Sequence, residues 1–114
     1  MKAPERLPSP PRLPPTAMGE GAAVRELDFA AFGAGTAPFQ ASEFTVEPGC
    51  TTDLDCHRVR ECWLIVAGEG LLTYEGAQFP VRPRDVIYFD SHQAHQLHNT
   101  GRETLVAFSI WWPA

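Results

Sequence analysis

The sequence contains little that would attract an anionic polymer or cross a membrane. Lys2 is the only lysine, and the formal net charge is −5, from nine basic and fourteen acidic side chains. A chain without a basic patch lacks the electrostatic attraction that nucleic acids and anionic membranes exert. The longest apolar run lies around Trp63 to Ala67, far short of the roughly 20 residues that a transmembrane helix needs. We therefore predict a small-molecule substrate, with no nucleic acid and no membrane as partner.

Cysteine is also scarce. Cys50, Cys56 and Cys62 are odd in number and evenly spaced, a pattern that matches no zinc knuckle or redox motif. The residues after Met1 and Lys2 contain no apolar core of a signal peptide. We expect a cytoplasmic location, where the three thiols stay free.

Proline is distributed unevenly along the chain. Six of the eleven prolines lie in residues 1–21, and proline lacks a backbone donor and fixes φ, so this segment can form neither a helix nor a central strand. We predict that residues 1–21 form an extended or disordered N-terminal arm. The length of the remainder fits one domain, which we assign to residues 22–114.

After Ala22 the sequence consists of short β-rich runs separated by turn residues, without a helical period. The Gly68-Glu69-Gly70 turn indicates a tight hairpin, because glycine adopts positive φ without steric cost. Short strands at this spacing are typical of an all-β sandwich, jelly roll or closed barrel. The candidate strands are Val24–Phe29, Phe39–Val46, Asp55–His57, Glu61–Val66, Leu71–Tyr74, Phe79–Val81, Val86–Phe89, His95–Asn99 and Leu105–Trp111.

Polar residues with metal-binding side chains fall on the predicted inner face. Asp55 and His57 are two residues apart, so they share one face of an extended chain. Glu61 keeps that parity, and Trp63 and Ile65 continue it, which marks the face as apolar. Carboxylates and an imidazole directed into an apolar interior are costly unless a cation satisfies them.

A second cluster surrounds His95. His95, Leu97 and Asn99 share a face, and the apolar Leu97 marks that face as the inner one. His95 is therefore the candidate ligand in this cluster, whereas His98 points outward. His92 lies in the preceding turn, where its direction stays open. We expect Asn99 to fix the backbone rather than to contact substrate.

Two spacings resemble the motifs of the cupin superfamily. The run Gly49-x5-Asp55-x-His57-x3-Glu61-x6-Gly68 is similar to G-x5-H-x-H-x3-4-E-x6-G, and Asp85-x9-His95-x3-Asn99 is similar to the second motif. The resemblance covers about 90 residues, from Val24 to Trp112. It implies a cupin jelly-roll β-barrel, or double-stranded β-helix, with one divalent metal ion. The ligands that it implies are Asp55, His57, Glu61 and His95.

Four positions depart from the family pattern. Arg84 and His92 replace glycines and Asp90 replaces a proline, which changes loop shape more than chemistry, since histidine tolerates left-handed φ comparatively well. Asp55 stands where the family has its first histidine. Two carboxylates and two imidazoles favour iron, zinc or manganese over copper(I). The sequence leaves open whether Asp55 coordinates the ion, acts through water, or marks a cupin that has lost its metal.

The resemblance implies a metal-dependent enzyme acting on a small metabolite in the barrel, by oxygenation, isomerisation or cyclisation. Few groups besides the ligands are available for proton transfer, and Tyr88 and His92 are the candidates. The alternative is a non-catalytic metal-containing binding or accessory module, for example beside a natural-product synthetase. Small cupins commonly dimerise, and Trp111-Trp112 indicates a contact of a homodimer or between sheets.

Overall fold

We describe the fold from a computed structural model that covers residues 9–31 and 37–114 of the chain. Strands are its only regular elements, and no helix in these two ranges could span a membrane. The nine strands are β1 (Thr16–Ala17), β2 (Ala22–Glu26), β3 (Gln40–Val46), β4 (Arg60–Ala67), β5 (Gly70–Tyr74), β6 (Ala77–Val81), β7 (Val86–Phe89), β8 (His95–Asn99) and β9 (Leu105–Trp112).

The strands form two antiparallel sheets that enclose one core. The larger sheet has the order β1-β2-β3-β9-β4-β7, and the smaller has the order β6-β5-β8. Alternate residues on each strand face inward, as period-two side chains must. The inward residues include Phe44, Phe89, Leu97 and Leu105, each at most 1% exposed. The fold is the all-β jelly roll that the family resemblance implies.

Two predictions about local structure are wrong. Asp55–His57 is not a strand, and in this stretch only Asp55 makes an isolated bridge, to His95. The Gly68-Glu69-Gly70 turn is not a hairpin either, because β4 and β5 belong to different sheets. The chain crosses between the sheets at this point, where a side chain at Gly68 would meet the backbone of Leu105. The glycine pattern that predicted a hairpin therefore belongs to a tight turn in which the chain crosses from one sheet to the other.

The departures at Arg84 and His92 are accommodated in turns. Arg84 has φ 80° and His92 has φ 61°, so both occupy the left-handed region that glycine adopts freely. The backbone N–H of Arg84 donates to the carbonyl of Ile65, and that of His92 donates to the carbonyl of His57. These backbone contacts hold both turns although neither residue is glycine.

The N-terminal arm is extended where it is described. The backbone N–H of Leu13 donates to the carbonyl of Glu26 over 2.8 Å, and β1 pairs with β2. Arg12 makes an ion pair with Glu43 on β3. Residues 12–17 thus form the edge of the chain's own larger sheet, which proline tolerates because edge positions need fewer donors. Residues 1–8 of the predicted arm lie outside the described residues.

Candidate metal centre

Asp55 lies on a loop that backbone hydrogen bonds join to β8. Its N–H donates to the carbonyl of His95 over 3.0 Å, and the N–H of His95 donates back over 2.9 Å. This reciprocal pair places the two side chains together although the loop is not a strand. Two residues later, the carbonyl of His57 accepts the N–H of His92, which fixes the end of the loop.

Three of the four predicted ligands form a compact group. The ligand atoms of Asp55, His57 and His95 all lie within 4.8 Å of one another. Asp55 Oδ2 and His57 Nε2 are 3.6 Å apart. The side chain of His95 is 3% exposed, that of Asp55 33% and that of His57 45%. The group therefore extends from the buried interior to the solvent.

The His95 ring is oriented by the backbone. Its Nδ1 lies 2.8 Å from the carbonyl oxygen of Gln93, and a carbonyl only accepts, so Nδ1 carries a proton. In the neutral ring Nε2 then presents its lone pair to the interior. A metal-binding histidine in a protein usually has this arrangement, in which one nitrogen donates to a fixed acceptor while the other binds the ion.

Glu61 lies beside the three-residue group rather than within it. Its Oε2 accepts hydrogen bonds from Ser109 Oγ and, over 3.0 Å, from Trp63 Nε1. Its Oε1 is 3.1 Å from His95 Nε2. Neither Oε1 nor Nε2 is exposed, and neither makes a well-formed hydrogen bond with any described residue. The two atoms are therefore a donor set that a cation would satisfy.

The charges of Glu61 and His95 depend on each other. Burial alone would raise the pKa of Glu61, but contacts with His95, Ser109 and Trp63 outweigh it and lower the pKa below its ordinary value. Burial alone would lower the pKa of His95, but Glu61 and the Gln93 carbonyl raise it. Each group thus stabilises the charged form of the other.

A cavity of about 300 Å³ opens next to these residues. Asp55, His57 and Glu61 line it on the ligand side, and most of the remaining lining is apolar. This volume is at the lower end of small-molecule sites. The chemistry that the arrangement permits is the binding of a small molecule beside a cation.

The structure does not bring the two candidate catalytic residues into this cavity. Tyr88 lies on the outer face of the larger sheet, where it is 50% exposed and stacks against Trp112. His92 is exposed in the turn before β8, and its side chain does not line the cavity. Neither side chain lines the cavity as the structure shows it.

Two other polar residues of β8 do not line the cavity. His98 faces the other side of β8, where its Nδ1 and Thr51 Oγ1 are 2.7 Å apart. Asn99 is buried, and its amide donates to the carbonyls of Val46 and Glu103. Asn99 thus fixes the backbone.

Sequence reasoning missed three residues of the centre: Met18, Gln93 and Ser109. Ser109 has the inward parity of Leu105 and Ala107 on β9, so strand alternation could have identified it. Gln93 acts through its backbone carbonyl, which carries no sequence signal. Met18 belongs to the arm, and its place in the cavity wall depends on how the arm folds back.

Comparisons with known proteins agree with this fold. Two curated relatives are a mannose-1-phosphate guanylyltransferase of Klebsiella pneumoniae, 33% identical over 76 residues, and an oxalate-binding protein of Thermotoga maritima, 34% identical over 64 residues. These matches cover 66% and 55% of the chain but only 16% and 53% of the relatives.

A solved structure and a family model extend the comparison. The cupin 2 conserved barrel domain protein of Salinispora arenicola superposes with a TM-score of 0.74 at 27% identity, covering 85% of this chain and 80% of that protein. The family model described as a cupin domain matches residues 42–111. Because this match spans more than half of the chain, the chain belongs to the cupin family.

Proposed function

We propose that the chain binds one divalent metal ion through Asp55, His57, Glu61 and His95 and uses it to transform a small metabolite in the cavity. The observation that carries the proposal is the close approach of Glu61 Oε1 and His95 Nε2, two buried atoms that lie 3.1 Å apart and make no well-formed hydrogen bond. Coordination of one cation by both atoms would satisfy them together.

The donor set indicates which ions fit. Two imidazole nitrogens and two carboxylates suit iron, zinc or manganese, because no soft thiolate or thioether takes part. Hydrogen bonds position the donors in the absence of an ion. The Gln93 carbonyl orients His95, while Ser109 and Trp63 hold one oxygen of Glu61 and leave the other free. Asp55 and His57, which are more exposed, would complete the site.

A bound ion would supply Lewis-acid polarisation of a substrate oxygen or, if it is iron, redox chemistry with dioxygen. The chain's own contribution is to bind the substrate, exclude water with the apolar wall, and hold the ligands in place. Oxygenation, isomerisation and cyclisation are the reaction classes that these roles serve. The names of the relatives, a guanylyltransferase and an oxalate-binding protein, support a small-molecule ligand and leave the reaction open.

The test is elemental analysis of protein purified without added metal or an affinity column that carries nickel. We expect about one iron, zinc or manganese ion per chain, absent from the Asp55→Ala/His57→Ala variant. His92→Asn is the matched control, because it removes an exposed imidazole and asparagine also tolerates left-handed φ. Trace metal in the wild type, with a melting temperature unchanged by chelator, would contradict the proposal.

One observation favours the second candidate, a non-catalytic binding module. Among the described residues, the polar side chains that line the cavity besides the proposed ligands are those of Ser42 and Ser109, and Ser109 donates to Glu61. Neither serine titrates near neutral pH. Thermal stabilisation by a metabolite without its conversion would identify the binding module, whereas conversion identifies the enzyme.

We also propose a homodimer formed through the outer face of the larger sheet. Four large apolar side chains lie exposed on neighbouring strands of this face: Leu64, Val66, Val86 and Tyr88. Phe108, Ile110 and Trp112 on β9 continue the patch. Apolar patches of this kind on a soluble domain mark interaction sites.

Light scattering after size exclusion tests the dimer. Val86→Arg places a charge in the middle of the patch, so we expect it to convert the dimer into a monomer without unfolding the chain. Phe79→Arg changes an exposed apolar residue on the smaller sheet and should leave the dimer intact. A monomeric wild type at micromolar concentration would refute the dimer.

A further inference from the structure

The charged groups of the cavity are confined to the proposed metal ligands. Asp55, His57 and Glu61 line it, and among the described residues no lysine or arginine does. Two carboxylates balance the charge of a divalent ion. A ligand with a second anionic group, remote from the ion, would therefore find no cation to pair with in the wall.

The rest of the wall would favour an apolar molecule. Phe44, Trp63 and Trp111 contribute from the inner face of the larger sheet. Met18 and Val24 contribute from the N-terminal part of the chain, which precedes the family match over residues 42–111. Part of the wall is thus built by residues that precede the range matched by the family model.

Met18 is held in the wall by its backbone. Its N–H donates to the carbonyl of Ala22 over 3.0 Å, and its carbonyl accepts the N–H of Asp53 over 2.8 Å. The next residue, Gly19, lies so close to the 51–53 loop that a Cβ would be 2.7 Å from the carbonyl oxygen of Thr51. The turn after β1 is therefore pressed against the loop that leads to Asp55, and the Met18 side chain extends into the cavity.

We propose that the ligand of this cavity has one metal-binding end and an uncharged, apolar body, and that Met18 is a specificity-determining residue for that body. The proposal rests on the proposed metal site. It distinguishes this chain from its relative that is described as an oxalate-binding protein, because oxalate is a dianion without an apolar body.

Calorimetric titration of the zinc-loaded full chain tests the proposal with three probes. Benzohydroxamic acid and acetohydroxamic acid share a metal-binding end and are neutral in solution, but only the first has an aromatic body. Oxalate is the dianionic probe. We expect benzohydroxamic acid to bind about tenfold more tightly than acetohydroxamic acid, because its ring buries apolar surface, and more tightly than oxalate.

Substitution of Met18 tests its role. Met18→Ala should lower the affinity for benzohydroxamic acid about fivefold and leave the affinity for acetohydroxamic acid unchanged, since we expect only the ring to reach that part of the wall. Met18→Leu keeps the apolar volume, so its affinity for benzohydroxamic acid should stay within about twofold of that of the wild type. The ratio of the two affinities within one variant does not depend on the fraction of folded protein.

Metal content, measured on the same samples, separates the possible failures. Zinc-loaded protein that binds oxalate as tightly as benzohydroxamic acid would overturn the ligand class and leave the metal site standing. An unchanged affinity ratio in Met18→Ala would overturn the role of Met18. Protein that takes up no zinc would overturn the proposed function itself, and this inference with it.

Discussion

Replacing His95 with alanine should remove the metal ion and lower the free energy of unfolding of the metal-free chain by about 3–5 kcal/mol. The substitution leaves the Glu61 carboxylate, whose side chain is 12% exposed, without its partner in the interior. It also removes a ring that stacks on Phe89 at 4.1 Å and meets Trp63 edge-on at 5.2 Å. An unpaired buried charge and a lost aromatic contact both favour the unfolded state.

The matched control is His98→Ala. His98 is on the same strand but faces the other side, and its hydrogen bond to Thr51 is worth about 1 kcal/mol. Metal content by elemental analysis and urea unfolding in chelator measure the two effects separately. If His95→Ala retained one ion per chain, or lost less stability than His98→Ala, the described role of His95 would be wrong.

The second large effect is expected at the crossing between the sheets. Gly68→Ala should lower the free energy of unfolding by about 1–2 kcal/mol, because alanine is strained at left-handed φ. Overpacking should lower it by a further 1–3 kcal/mol, roughly. The second contribution arises because a Cβ at Gly68 would lie 2.8 Å from Leu105 Cα, which is backbone and cannot move aside. The strands on both sides of the crossing would have to shift.

Gly76 provides the control for this substitution. Both glycines have φ +81°, but a Cβ at Gly76 has no atom within 4 Å. Gly76→Ala should therefore show the conformational cost alone, about 1–2 kcal/mol. Urea unfolding of both variants gives the difference directly. Equal losses of stability would mean that the close approach at Gly68 relaxes without cost.

Strand alternation correctly predicted that the side chain of His95 points inward. His95 and Leu97 lie on a regular strand, so the parity of an apolar neighbour settled the direction of the imidazole. For Asp55 and His57 the same argument assumed a strand that does not exist. Their proximity to His95 depends on one antiparallel bridge and on the turn at His92, which are tertiary contacts.

The remaining features depend on packing that a sequence does not display. Nothing local distinguishes the Gly68 turn, which crosses between sheets, from the turn at Gly76, which closes the hairpin of β5 and β6. The sequence does not show that Tyr88 faces outward, because that depends on its neighbour Phe89 taking the inward position on β7. The contribution of Met18 required knowing where the arm folds back.

The position of β9 affects the order in which the chain can fold. β9 is the last of the nine strands in chain order, yet it lies between β3 and β4 and pairs with both. Until it inserts, the larger sheet is two separate pieces with open edges, and such non-local pairing is slow. Ser109, which holds Glu61, and Trp111, which lines the cavity, both belong to β9. During synthesis, therefore, the centre can be completed only after β9 has left the ribosome.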